Sequence, residues 1–280
     1  MLDISDPAPQ KVEKLTKAIS LWKQPLTRKA LMQSFIRILI LTVFALAPVT
    51  SLQAQGTTPA AGAEKSTTTS SPKRTDVYHV FFGYATPGKA AELLEFLKTP
   101  DPNASGPTHG IILRHQDGDA WDYVAIEHLG TKATVEIPAT PMPTSARGLM
   151  QKHDDTYVSG PPWAEFAKQM GIDGDAAKTA GSVYVVSVYR AAPGQFDALE
   201  KMLGEPPNRA VDTTSGNVLM QHLEGGAWNF LAVARYDSWQ KFATNEINSI
   251  AQTNKKEGGW FQLREHVSFH NDTLTDRVAP

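Results

Sequence analysis

From residue 76 onward the apolar positions fall into blocks of two kinds. Asp76–Ala85 (DVYHVFFGYA) is rich in β-branched and aromatic residues and predicts a strand. Thr86-Pro87-Gly88 then opens a helix on which Ala90, Leu93, Leu94 and Leu97 recur at helical spacing, and Pro100 blocks its continuation. A polar loop leads to Gly110–His128 (GIILRHQDGDAWDYVAIEH), two alternating stretches around Asp117-Gly118-Asp119, which predicts a hairpin. The same succession returns later. Val183-Tyr184 opens a strand, Phe196, Leu199, Met202 and Leu203 mark a helix stopped by Pro206, and Gly216–Arg235 (GNVLMQHLEGGAWNFLAVAR) forms a hairpin around Glu224-Gly225-Gly226.

The two successions superpose. Val77-Tyr78, Pro87-Gly88, Leu93 and Leu97 meet Val183-Tyr184, Pro193-Gly194, Leu199 and Leu203 at an offset of 106, and His115, Gly118, Ala120 and Trp121 meet His222, Gly225, Ala227 and Trp228 at 107. One unit is written twice, and a repeat of this length decides architecture before any motif does. After the second hairpin Asp237 can cap a helix with Gln240 three residues on, whose stripe is Trp239, Phe242, Ala243, Ile247, Ile250 and Ala251. Gly258-Gly259 end it, and a last strand spans about Phe261–Leu274. The second unit thus reads β-α-β-β-α-β, the split ferredoxin-like order. In the first unit Pro138, Pro141 and Pro143 forbid a full helix between Leu129 and Met150, while His153-Asp154-Asp155-Thr156 matches His270-Asn271-Asp272-Thr273 and keeps the final strand. The expected class is α+β, with a first repeat at 76–158, a linker with a short helix at 159–181, and a second repeat at 182–276.

The amino-terminal quarter stands apart. Within residues 1–54, Arg37 precedes an apolar run from Ile38 to Val49 and a tail ending at Ala54, the pattern of a signal peptide, with Met32 an alternative start. The run is shorter than the roughly 20 residues of a spanning helix, so export to the periplasm or exterior, without stable membrane insertion after cleavage, is expected; an uncleaved anchor is the alternative, since Leu52 spoils the cleavage site. Residues 55–75 are Gly, Ala, Thr, Ser, Pro and Lys and predict a flexible tether. Residues 1–54 hold seven of the 27 Lys and Arg and three of the 29 Asp and Glu, leaving 20 basic and 26 acidic residues and a formal charge of −6. Such a body gives no electrostatic reason to expect nucleic acid. The absence of cysteine excludes disulfides, thiolate metal sites and a cysteine nucleophile.

Element order, the Tyr-x-Val opening strands, the Pro-Gly helix starts and the Ala-Trp hairpins resemble the dimeric α+β barrel superfamily, here as two copies in one chain. The resemblance implies two sheets facing each other, the second strand of each copy lying near the fourth strand of the other, and a monomer sufficient by internal pseudo-dimerisation. Its members include cofactor-free antibiotic-biosynthesis-type monooxygenases, haem proteins and non-catalytic domains, so it implies no single reaction.

On that arrangement His115 lies toward His266, His270 and Asp272, and His222 toward His153 and Asp155. His115 and His222 share apolar stripes with Ile111 and Leu113 and with Val218 and Met220, which marks them as interior imidazoles and candidate bases, with Asp272 and Asp155 as orienting partners. The competing reading makes the His-Asp pairs hydrogen-bonded ties of the barrel seam. Trp121, Tyr123, Trp228 and Phe230, with His153 and His270, are candidate ligand contacts for a small apolar or aromatic molecule, or else core filling. No cofactor or metal is expected. His79 and Tyr84 face Val185 and Arg190 in the repeat, so the halves differ chemically there, which favours one pocket over two.

Overall fold

The computed structural model describes residues 73–99, 109–131, 144–256 and 258–280; the export segment, nearly all of the tether and the proline-bearing stretch 132–143 lie outside them. Its first half comprises β1 (Asp76–Ala85), α1 (Ala90–Lys98), β2 (His109–Asp117), β3 (Tyr123–Thr131), a 3-10 turn (Thr144–Gly148) and β4 (Met150–Gly160). Helix α2 (Trp163–Met170) and a second 3-10 turn (Ala176–Thr179) connect to β5 (Val183–Ala191), α3 (Phe196–Leu203), β6 (Gly216–Glu224), β7 (Phe230–Tyr236), α4 (Trp239–Lys255), α5 (Trp260–His266) and β8 (Val267–Ala279). All strand pairs are antiparallel and close into a barrel in the order β1-β3-β2-β8-β5-β7-β6-β4. The α+β barrel expected from the repeat is therefore the observed fold, with β2 against β8 and β6 against β4.

The period of two sorts each strand into an inner and an outer row. Tyr78, Val80 and Phe82 on β1, Ile111 and Leu113 on β2, Tyr184 and Val186 on β5, and Val218 and Met220 on β6 belong to one buried interior cluster. Their neighbours Phe81, Ile112, Tyr123 and Ala125 face outward under α1, and Phe230 and Leu219 face outward under α3.

The repeated hairpins owe their likeness to the seam. Gly118 and Gly225 have φ of 125° and 112°, and a Cβ at either would lie 2.5 Å from the Asp272 carbonyl oxygen or 2.3 Å from that of Asp155. Only glycine lets each hairpin tip lie this close to the other half's last strand. There the Asp119 amide donates to Thr273 Oγ1 and the Gly226 amide to Thr156 Oγ1, both at 3.2 Å.

Helix α2 closes one end of the barrel. Phe166 and Met170 are buried in the interior cluster, with Phe166 5.0 Å from the Tyr78 ring. The matched tyrosines hold both ends of this plug: Tyr78 Oη donates to Pro161 O at 2.7 Å and Tyr184 Oη to Met170 O at 2.9 Å. Burial raises the pKa of both phenols, which keeps them protonated donors.

Several local expectations are corrected. Pro87-Gly88 and Pro193-Gly194 form turns, with the glycines at φ 81° and 76°, so α1 and α3 start two residues later. Ser238, not Asp237, caps α4 by accepting from the Lys241 amide, and Asp237 pairs with Arg235 instead. Residues 261–266, which the sequence predicts as the start of the last strand, belong to α5, so His266 sits at a helix end and not on the strand carrying His270. The α4 stripe is less covered than its periodicity implies: Trp239, Ile247 and Ile250 are exposed.

Candidate functional site

Away from α2 the barrel is hollow. A cavity of about 600 Å³ is lined from inside by Phe82, Tyr84, Trp121, Val186, Val188 and Trp228, with Asp119, Asp154, Phe269 and Asn271 among its polar and rim positions. Trp121 is buried and stands 5.6 Å from Phe82. The two indoles enter from the two hairpins. Each hairpin is anchored to the strand beside it through the residue after its indole, the Asp122 carboxylate accepting from the Ala85 amide at 2.7 Å and the Asn229 side chain from the Ala191 amide at 2.8 Å.

Of the residues singled out in the sequence, Trp121, Trp228 and Tyr84 reach the cavity wall, and His153 and Asp155 border it. Tyr123 and Phe230 do not, because the turn residue between each and its tryptophan shifts the row. Tyr123 lies outside the sheet and donates to Ala90 O at 3.0 Å, and Phe230 packs 4.8 Å from Phe196 of α3. The imidazoles stand behind the indoles. His115 meets Trp121 edge-on at 5.9 Å and His222 meets Trp228 at 5.3 Å, while neither lines the cavity. The Nε2 atoms of both are buried without a hydrogen-bond partner among the described residues. Burial lowers the pKa of His222, against a smaller opposing pull from Glu224.

The expected partnering of these imidazoles with Asp272 and Asp155 is not what the register gives. His115 pairs with Thr275 and His222 with Val158, both on the inner row. Asp155 pairs with Phe81 and Asp272 with Ser187, one position out of phase with the interior, so both carboxylates face outward. Strand parity separates groups that proximity along the seam had seemed to join.

What Asp155 does join is a chain on the outer face of the first half. His153 Nδ1 lies 2.6 Å from Asp155 Oδ2, His79 Nε2 lies 2.8 Å from Asp155 Oδ1, and His79 Nδ1 lies 3.3 Å from Glu127 Oε2. The His153 ring stacks on Phe81, and His153 also borders the cavity rim. Burial works against a charged His79, but the two carboxylates outweigh it and raise its pKa to about 9. The hydrogen bond from His79 holds Asp155 below the ordinary carboxylate value despite its partial burial. In the second half His270 stacks on Tyr189 at 6.2 Å and reaches Asp272 only at 3.8 Å. Val185 and Ala234 stand there in place of His79 and Glu127.

The polar pair facing the cavity had only a faint signal in the sequence. Tyr84 Oη donates to Asp154 Oδ2 at 3.1 Å, and Lys152 Nζ lies 2.8 Å from the same oxygen and 4.6 Å above the Tyr84 ring. Burial, then the bond to Asp154, raises the Tyr84 pKa, so the phenol stays a donor. The mismatch of Tyr84 with Arg190 in the repeat was the signal; Asp154 was hidden as one of two adjacent aspartates. Among the described residues no group of three or more His, Asp and Glu is arranged to hold a metal ion.

No family model matches the chain. No curated protein matches it either. Among solved structures, it is similar to an anthrone oxidase-like protein, at 13% identity over 74% of this chain and 92% of that one, with a TM-score of 0.50. It also aligns with candidate monooxygenases from Fusobacterium nucleatum (8% identity, 73% and 93% covered, TM-score 0.47) and Lactobacillus acidophilus (7%, 72% and 94%, 0.40). At such identity the likeness to the anthrone oxidase-like protein speaks to the fold, and it agrees with the barrel read from the strand order.

Proposed function

We propose that this protein binds a small, flat, largely apolar molecule in the barrel mouth, held between Trp121 and Trp228. The observation that carries this is the hollow itself: α2 fills one end of the barrel, while the other keeps about 600 Å³ walled by aromatic and branched side chains. That volume lies within the range of roughly 300–1,000 Å³ typical of small-molecule pockets. A barrel serving only as a structural element would be filled by its own side chains.

If the bound molecule is also transformed, in the manner of cofactor-free oxygenases, the groups facing it are Tyr84 and Asp154. His115 and His222 then act as the backing that sets the indoles. Duplication of one ancestral unit is supported by the matched tyrosines, seam glycines and indoles. Export to the periplasm or exterior is supported by the basic-then-apolar succession of residues 1–54, outside the described residues.

The test is calorimetric titration with an apolar aromatic probe such as naphthalenemethanol. One saturable site is expected, weakened about tenfold or more in Trp121→Ala and in Trp228→Ala, as for anchors in a desolvated pocket. Absence of saturable binding by any such probe, in a protein shown to be folded, would refute the ligand-binding reading.

A further inference from the structure

The cavity is built on a pseudo-two-fold, so its walls can be compared position by position. Registers place Phe82 opposite Asp154 and Tyr84 opposite Lys152 in the first half, and Val188 opposite Asn271 and Arg190 opposite Phe269 in the second. Both rims keep a cation over an aromatic ring, Lys152 over Tyr84 at 4.6 Å and Arg190 over Phe269 at 5.6 Å. Below the rims the halves diverge. The first sets a carboxylate, Asp154, on the inner row beside the indoles; the second sets a neutral amide, Asn271. The hairpin tips diverge the same way, with Asp119 against Gly226.

Among the described residues no Lys or Arg lines the cavity. Asp154 at its first-half wall is met from the solvent side by Lys152. The Tyr84 hydroxyl, donating to one Asp154 oxygen, fixes the carboxylate's orientation. An aromatic-walled cavity whose carboxylates lie on its first-half side, Asp154 oriented by Tyr84 and Asp119 at the hairpin tip, favours one ligand chemistry: a cation is attracted both by the charge and by the faces of the indoles.

Building on the ligand-binding reading, we propose that the cavity is selective for a flat aromatic molecule bearing a protonated amine, its rings between Trp121 and Trp228 and its ammonium group at Asp154. The second-half wall of Val186, Val188 and Phe269 takes the apolar body, so the ligand binds in one orientation despite the pseudo-symmetry.

Three naphthalene probes of one size separate the claims: naphthylmethylamine, naphthalenemethanol and naphthoate, titrated calorimetrically at neutral pH. The amine is expected to bind about tenfold tighter than the alcohol, the lower end of what a hydrogen bond to a charged group contributes, with naphthoate weakest. Asp154→Asn should remove the amine's advantage over the alcohol. Asn271→Asp, which supplies a carboxylate to the neutral wall, should strengthen amine binding and decides the matter if Asp154→Asn fails to fold. Equal binding of amine and alcohol, or preference for naphthoate, overturns the selectivity while leaving the cavity as a binding site. Failure of all three probes overturns the underlying reading instead.

Discussion

At the residue scale the outer chain Glu127–His79–Asp155–His153 contains two groups, His79 and Asp155, whose protonation is linked to folding. The His79 pKa is raised from 6.5 to about 9, so the fold favours its protonated form. Its contribution is complete below the unfolded value of 6.5 and fades as pH rises through 9. Asp155 is shifted the other way, below 3.8, so its contribution is complete above 3.8 and fades as pH falls through the depressed value. The shared ion pair is thus at full strength between pH 3.8 and 6.5. Because Asp155 and Glu127 are partly solvated, the loss on the alkaline side should be about 1 kcal/mol. Urea unfolding at intervals from pH 5 to 10 should show this decline in the native chain and a flatter profile in His79→Gln; equal slopes in both would remove the linkage. In the sequence His79 differed from Val185, but no spacing tied it to Asp155. That tie depends on the register of β1 against β4, and a shift of one residue would have sent Asp155 inward.

Among the elements, α2 closes one end of the barrel with only eight residues. Its eight residues were legible as a short helix, from the apolar positions after Pro161, but they read as part of a linker. The plug role depends on three distant features: the hydroxyls of Tyr78 and Tyr184, and Gly216, where a Cβ would lie 1.8 Å from Gln169 O and so would block the helix from seating. The buried guanidinium of Arg235 adds a bond from Nε to Gln169 O at 3.0 Å. Phe166→Ala should destabilise the protein by about 3–5 kcal/mol, as for other buried aromatic truncations, and should lower the thermal midpoint accordingly. A loss below roughly 1 kcal/mol would mean that the helix lies on the barrel without plugging it. The opposite case is α4, whose stripe is apolar in sequence but whose Trp239, Ile247 and Ile250 are exposed. Periodicity reports that a face is apolar, never what covers it.

For the whole molecule, the two offsets of 106 and 107 predicted which edges would meet, because each split unit leaves its second and fourth strands unpaired. The closed order places β2 on β8 and β4 on β6, which removes all four edges. The cavity's polarity was not legible at this scale, since a repeat advertises what its copies share, and Asp154 and Asn271 matter by their difference. Closure also fixes what each half lacks. Residues 73–160 alone would expose the β2 and β4 edges and the interior row of Tyr78, Val80, Phe82, Ile111 and Leu113, and would miss the plug that follows at α2. Residues 161–280 would expose the matching β6 and β8 edges with Val218, Met220 and Tyr184. Bare edges beside an apolar face drive association, so each fragment produced alone should form dimers or aggregates. Co-expressed, the two should rebuild the heterodimeric barrel, with tryptophan emission and probe affinity near those of the intact chain. Sedimentation of the separate and mixed fragments checks both expectations. A well-dispersed, folded monomer of residues 73–160 would show that each half completes its own core, and the common interior would then no longer account for the fold.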